Sequence, residues 1–440
     1  MSYRERMTAR EQEVGRPLRV GLVGAGQMGR GFAAQLMRMP GVSLSAVFDV
    51  QRERAEEALA QAGIVASASD SIDKAVHAIE NGGSVAFAGI DELGALPLDV
   101  VVEATGVPDV GARVALESLV SGKHIATLNV ESDVTIGKFM AAAAKQSGAI
   151  YSVCRGDEPV ETKILVDYAR DLSFEVVCAG KGKNNPLDFY ATPDSLADRA
   201  RSKQMNPKML CSFVDGSKAM IEMAALANTT GLGVSTRGMH GPASSVPELH
   251  NTFALREDGG VLERAGVVDY CTGPVAPGVF VVVRTDDPYI NHEMTYLQMG
   301  NGPYFALYRP FHLASIEAPL TVCEMVLDNR PSLVAEHWTA EVGAVTKRAI
   351  SAGEQIDGVG GSMVRGQIDD ADDFARDGAV PLGVLADARL KRDVPVDRRL
   401  TFDDVELDES SLIVRLRRLQ DKMSDESMPG LEELVALVRA

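Results

Sequence analysis

A glycine-rich turn close to the start of the chain limits its possible folds more than any other feature. An apolar run at 20–23 reads as a buried parallel strand, and Gly24-x-Gly26-x-x-Gly29 follows it directly. A helical pattern comes next and is stopped by Pro40-Gly41. A second apolar run, 42–48, ends on Asp49. Each glycine has a task in such a turn. Gly24 permits the tight bend, Gly26 lets the backbone approach a pyrophosphate, and Gly29 lets helix and strand pack closely. The helix start, with Gln27 and Met28, offers unpaired N–H groups and a positive dipole end to phosphates. An acid about 20 residues further on is the usual ribose ligand. Strand, turn, helix and Asp49 together predict dinucleotide binding. The plainer alternative is a glycine-rich turn in some other doubly wound domain.

Strand–helix alternation continues to residue 153. Helices are expected at 51–62, 70–80, 108–121 and 133–147, and strands at 99–103, 124–128 and 149–153. Residues 1–17 read as a helical or frayed arm, and 64–96 as an inserted excursion. Repeated βα units of this kind give a parallel sheet covered on both faces. In such sheets ligands sit at the carboxyl ends of strands. That makes Ala104, Thr105 and Gly106 cofactor candidates, with Asn129 and Lys123 weaker ones. A small-residue turn with a capping threonine would look the same.

At 440 residues the chain has room for about two or three domains. Its 62 acidic against 44 basic residues give a net charge of −18, a field that repels nucleic acid and anionic membranes. Five scattered cysteines argue against a disulfide framework or a zinc knuckle. The N-terminal residues are polar, without the apolar core of a signal peptide, and no stretch is apolar enough to span a bilayer. A cytoplasmic protein is the expectation.

The middle third carries the chemistry-bearing residues. A helix is expected over 155–171, with Asp157 and Glu158 at its start. A strand at 174–179 runs into a loop, 180–186, where Lys181 and Lys183 alternate with glycines. One helix is expected over 205–231, and on it Asp215, Lys218 and Glu222 fall at i, i+3 and i+7, within one narrow sector. That stripe either faces water or lines a cleft where a lysine and two carboxylates do acid–base work. His240 lies in a loop between glycines, and Arg309 and His312 flank a turn as anion ligands or structural hydrogen-bonders. Asp157, Glu158 and Glu222 could hold a divalent metal through oxygen, although no spacing demands one. Beyond 335 the pattern is short strands and turns, with 369–377 an acidic loop and 423–440 a short helix or tail.

Several blocks in one order resemble a known family along nearly the whole chain. They include Val101-Val102-Glu103-Ala104-Thr105-Gly106, Asn129-Val130-Glu131-Ser132-Asp133, Gly156-Asp157-Glu158-Pro159 and Gly180-Lys181-Gly182-Lys183-Asn184-Asn185-Pro186. Asp215-Gly216-Ser217-Lys218, Gly238-Met239-His240-Gly241-Pro242, Gly302-Pro303-Tyr304-Phe305 and Arg309-Pro310-Phe311-His312 continue the series. The family is that of the deoxyxylulose-5-phosphate reductoisomerase-like proteins, homoserine-dehydrogenase-like oxidoreductases with a C-terminal SAF domain. The resemblance implies an α/β protein of three domains and a homodimer. Residues 1–153 would form a Rossmann-type domain, 154–334 an α+β catalytic and dimerisation domain, and 335–440 an SAF-like β-clip.

The implied activity is NADPH-dependent conversion of 1-deoxyxylulose 5-phosphate to 2-C-methylerythritol 4-phosphate, a step towards isoprenoid precursors. Lys181, Lys183, Lys218 and Asp215 would then surround the reacting oxygens, with Glu158 and Glu222 orienting them. Arg309, His312, His240 and Asp157 would serve the phosphate or distal hydroxyls. Asp49 complicates the cofactor, because it suits a ribose 2′-hydroxyl and repels the 2′-phosphate of NADP. Arg52 could still accommodate that phosphate, so both NADP(H) and NAD(H) stay open. If NAD is preferred, oxidation of a sugar acid or polyol becomes the natural direction. Alternatives are a dehydrogenase or oxidoisomerase of another short sugar derivative, a homoserine-dehydrogenase-like enzyme, and a non-catalytic dinucleotide sensor.

Overall fold

The computed structural model describes residues 1–423 and 429–439. Two compact units divide the chain. The first comprises Met1–Asp157, Leu313–Val334 and Ser410–Ala440, and the second Glu158–His312 and Ala335–Glu409.

The first unit is built on a six-stranded parallel sheet. Its strands are β1 (Leu18–Val23), β2 (Val42–Asp49), β3 (Val85–Ala88), β4 (Val100–Glu103), β5 (His124–Thr127) and β6 (Tyr151–Val153), in the order β3-β2-β1-β4-β5-β6. The strands are apolar at nearly every position because both faces are covered. Val100 and Val102 of β4 pack into one core with Phe32, Leu36 and Leu59, while Val101 packs into the other with Leu116, Phe139 and Met140. Strand order reverses between β1 and β4, which opens a ligand crevice at their carboxyl ends. The stretch 64–96 is not an excursion, since it supplies the edge strand β3. That strand is four residues long and bounded by Gly82-Gly83 and Gly89, so its apolar signal is too short to stand out.

The N-terminal arm is a helix, Tyr3–Val14, started by a reciprocal cap between Ser2 and Glu5. It is tied down by the Tyr3 hydroxyl donating to Asp328 at 2.7 Å. From the C-terminal end, the helix Leu412–Gln420 packs on Val130–Ser147, where Gln420 Oε1 accepts the Phe139 N–H at 2.9 Å. Within the stretch expected as a short helix or tail, Leu431–Arg439 is a helix, while 424–428 and 440 lie outside the described residues.

The second unit centres on a mixed sheet of β7 (Glu175–Gly182), β8 (Gly233–Val234), β9 (Val267–Cys271), β10 (Val279–Arg284) and β11 (Tyr304–Arg309), ordered β11-β10-β7-β9-β8. β10 runs antiparallel to β7 and β11, whereas β9 is parallel to β7 and β8. The expected loop at 180 begins as strand, so Lys181 is a strand residue aligned with Tyr270 of β9. The single helix expected over 205–231 is two, Pro207–Val214 and Ser217–Thr230. Gly216 breaks it with a left-handed φ of +87°, a conformation cheap only for glycine. Residues 335–409 add two small antiparallel sheets, β12 (Ala340–Thr346) with β13 (Val364–Asp370) and β14 (Arg389–Leu390) with β15 (Val405–Glu406). The acidic stretch after β13 is a short helix, Ala371–Arg376, capped by Asp370, rather than a loop.

All five cysteines are free and buried. Among the described residues no helix is long and apolar enough to cross a membrane.

Candidate functional site

In the first unit the glycine turn has the shape its spacing predicts. A Cβ on Gly29 would fall 1.9 Å from the Gly24 carbonyl oxygen, and one on Gly24 would fall 2.8 Å from the Ala104 carbonyl carbon. Gly26 faces open space and caps the helix Gln27–Leu36 without any side-chain acceptor. A pyrophosphate therefore has both room and donors there. Gln27 is exposed and Met28 half-buried at this helix start. Asp49 is held at the end of β2: its Oδ2 accepts the Ala25 N–H at 2.9 Å and its Oδ1 the Gln51 N–H at 3.1 Å. Arg52 pairs with Glu56 at 3.0 Å.

The loop after β4 is organised by Glu103, which is fully buried. It accepts the Thr105 N–H at 2.7 Å, the Thr105 hydroxyl, and the Thr127 hydroxyl at 3.0 Å. Burial pushes this carboxyl up, and those bonds only partly oppose it. Ala104 and Thr105 are half-buried and Gly106 exposed. Asn129 is fully buried, capping the helix Val130–Ser147 and donating to the Val107 carbonyl at 3.0 Å. Lys123 donates to the Gly94 carbonyl at 2.7 Å.

In the second unit, the Lys181 ammonium is clamped between two carboxylates. It donates to Glu158 Oε1 at 2.6 Å and to the Glu222 carboxylate, and the three side chains are 9%, 14% and 2% exposed. β7 supplies the lysine, the first turn of the helix Glu158–Asp171 supplies Glu158, and the buried helix Ser217–Thr230 supplies Glu222. Burial pulls the Lys181 pKa down, but the two carboxylates outweigh it and raise it overall. Burial and the charge of Glu158 push the Glu222 carboxyl up, against the pull of Lys181 and Lys218. Two acids thus share one ammonium, an arrangement that favours retaining a further proton. A divalent ion at Glu158 and Glu222 would have to displace this ammonium. His312 Nε2 lies 3.2 Å from Glu158 Oε1. Asp157 is buried at the last position of the first unit's opening segment.

Lys183 is buried and donates to the carbonyls of Asn185 at 2.6 Å and Phe213 at 2.8 Å. Burial and the neighbouring Lys181 charge pull its pKa down to about 8. Lys218 is half-buried in the first turn of its helix, one turn before Glu222. Asp215 does not share that stripe, because it ends the preceding helix ahead of the Gly216 break. Its Oδ1 accepts the Ser217 N–H at 2.8 Å and its Oδ2 meets the Lys347 ammonium.

His240 and Arg309 each meet an acid that the pattern of the sequence did not single out. The His240 Nδ1 is 2.7 Å from Oδ2 of Asp269, a fully buried carboxylate that also accepts the backbone N–H groups of His240 and Gly241. Arg309 pairs with buried Glu161 and lies over the Phe311 ring at 4.6 Å. One signal was available for Asp269: an acid inside the apolar strand Val267–Cys271 has to be buried with a partner.

Residues 156–318 match the family model described as the oxidoreductase DRL catalytic domain. Residues 24–153 match that of the homoserine dehydrogenase NAD-binding domain. No curated protein matches the chain. Among solved structures, GenD2 from gentamicin A biosynthesis in complex with NAD is 15% identical, over 72% of this chain and 88% of that one, with a TM-score of 0.37. The Zymomonas mobilis 1-deoxy-D-xylulose 5-phosphate reductoisomerase in complex with NADPH is 18% identical, over 47% of this chain and 57% of that one, at a TM-score of 0.33. Myo-inositol 2-dehydrogenase from Lactobacillus plantarum is 13% identical, over 72% and 91%, at 0.39.

Proposed function

We infer that this chain, an NAD(P)-dependent oxidoreductase by its two matched domains, acts on a short polyhydroxylated carbon chain. The observation that carries the reading is Lys181 held by Glu158 and Glu222 in a buried setting. An ammonium fixed by two acids is pre-oriented to polarise a substrate oxygen, at no cost in reorganisation when charge develops there. Lys183, with a pKa near 8, is suited to take up or return a hydroxyl proton around neutral pH. Lys218, Glu158 and Glu222 would orient the substrate hydroxyls. A nicotinamide cofactor, when bound, would supply the hydride chemistry.

The motif resemblance supports one specific form of this chemistry, an NADPH-dependent reductoisomerase of 1-deoxyxylulose 5-phosphate. It also supports a homodimer and an SAF-like reading of the C-terminal segment, while the scattered free cysteines favour a cytoplasmic location. A second reading, a dehydrogenase or oxidoisomerase of another sugar acid or polyol, is favoured by the pairing of the expected phosphate ligands. Arg309, His240 and His312 each face a carboxylate, which weakens them as the seat of a phosphate dianion. Asp49 favours NAD and hence the oxidative direction.

Initial rates with both nucleotides on 1-deoxyxylulose 5-phosphate, homoserine and a panel of short polyols and sugar acids test the reading. The expected result is turnover on a hydroxylated substrate, with the oxidative rate rising through a pH of about 8 and that limb lost in Lys183→Met. Dinucleotide binding with no turnover across the panel would favour the sensor instead.

A further inference from the structure

We propose that Arg365, contributed by the C-terminal segment of the second unit, seats the carboxylate of a short hydroxy-acid substrate. The inference rests on the oxidoreductase reading and narrows its substrate class. Arg365 lies on β13 and is 8% exposed. Its Nε is buried without a hydrogen-bond partner, and among the described residues its guanidinium makes no ion pair. Its cation–π contact is the Phe189 ring, 4.2 Å from the guanidinium carbon.

The other buried cations of this unit are engaged. Lys181 is held by Glu158 and Glu222, Lys347 by Asp215, and Lys183 by two carbonyls. The acids whose charge acts on Arg365 are Asp397 and Asp215. Asp397 accepts the Tyr190 hydroxyl at 2.8 Å, and Asp215 is taken by Lys347. A guanidinium withdrawn from water with no carboxylate in direct contact is costly, and a bound anion would offset that cost.

The surroundings join this arginine to the lysine cluster. The N–H of the next residue, Gly366, donates to Ser217 Oγ at 2.7 Å, at the start of the helix that carries Lys218 and Glu222. The charge of Arg365 also acts on the phenol of Tyr270, the residue aligned with Lys181 across β7 and β9. A carboxylate fits better than a phosphate. One planar fork on an aromatic ring matches a single charge and two coplanar oxygens. A phosphate dianion brings a second charge, while the neighbouring cations are engaged.

The smallest matched probes test this: glycolate, its neutral counterpart ethylene glycol, and inorganic phosphate, each followed by thermal shift on the full chain. Glycolate is expected to raise the wild-type Tm and ethylene glycol to leave it unchanged. The glycolate shift should vanish in Arg365→Met, which preserves a stem over Phe189, and return in part in Arg365→Lys. Glycolate affinity should fall about 10- to 100-fold in the Met variant. The proposal is overturned if phosphate alone stabilises the wild type, if no anion does, or if wild type and Arg365→Met respond alike. Should Arg365→Met fail to fold, the Lys variant and direct calorimetric titration of wild type with glycolate decide it. A wild type that binds no dinucleotide would sink the oxidoreductase reading instead, and the anion response does not depend on that result.

Discussion

The Lys347 ammonium lies 2.6 Å from Oδ2 of Asp215, with the two side chains 1% and 0% exposed. Lys347 also donates to the carbonyls of Ala191 at 2.8 Å and Gly361 at 2.7 Å, and Asp215 accepts the Ser217 N–H. The pair thus joins segments far apart in the chain with its polar atoms satisfied. We assign Asp215 to holding the start of the helix Ser217–Thr230 rather than to proton transfer. Removing one partner strands a buried charge, so Lys347→Met should cost about 3–5 kcal/mol of unfolding free energy. Lys347→Met combined with Asp215→Leu should cost less than the single change, because no charge remains. Urea denaturation of wild type, single and double variants measures both, and a double variant at least as destabilised as the single would contradict the assignment.

Lys181 is expected to matter for chemistry. Lys181→Met removes the ammonium that bridges Glu158 and Glu222 and should lower kcat by about 100-fold or more. Dinucleotide affinity should hold, since the glycine turn belongs to the other unit. Steady-state rates alongside an NADH fluorescence titration separate the two effects. An unchanged kcat would remove Lys181 from the reaction.

The sequence announces most of the first sheet because its strands are apolar runs separated by helical periods. It hides β3, which is four residues long, and it hides the extension of β7 through Lys181, because Gly-Lys alternation looks like a loop. The break at Gly216 is equally silent, since a left-handed glycine and a helical one read alike in a pattern. Motif blocks point to Lys181 and Glu158, and helical spacing to Glu222, yet no spacing reveals that one ammonium joins both acids. Partners such as Glu161 and Arg309 are 148 residues apart, so only the folded chain pairs them. Arg365 carried no sequence signal at all: it sits in an ordinary short strand, and its lack of a partner is a property of the fold.

Asp133 should make the stability of the protein depend on pH near neutrality. It is 1% exposed in the first turn of the helix Val130–Ser147, and the Tyr151 hydroxyl donates to it at 3.1 Å. Burial pushes its carboxyl up to about 7, with the Tyr151 bond opposing. A raised folded-state pKa means the native chain binds a proton that the unfolded chain has lost above a pH of about 4. The stabilisation is therefore complete below that pH and is lost as pH rises towards about 7. At about 1.4 kcal/mol per unit, the loss reaches a few kcal/mol. Asp133→Asn should flatten this dependence and stabilise the protein at alkaline pH. Denaturation curves between acid and alkaline pH check it, and parallel profiles for the two proteins would sink it.

Asp49 should set the choice of cofactor. Both of its oxygens are anchored by backbone N–H groups, of Ala25 at 2.9 Å and Gln51 at 3.1 Å, so the carboxylate cannot swing aside. A carboxylate oxygen can accept more than one hydrogen bond, which leaves capacity for a ribose diol. A 2′-phosphate would instead meet a fixed negative charge. Arg52, the residue best placed in sequence to relieve that repulsion, is paired with Glu56 on the same helix, although an exposed pair of this kind is weak and could be broken. The kcat/KM should therefore favour NAD over NADP by about tenfold or more, roughly 1.4 kcal/mol. Asp49→Ser should narrow or reverse the preference by admitting the phosphate while keeping a hydroxyl for the Ala25 N–H. Equal efficiencies with the two nucleotides in the wild type would show that Arg52 leaves Glu56 to meet the phosphate, and a further Arg52→Ala change should then depress NADP use alone.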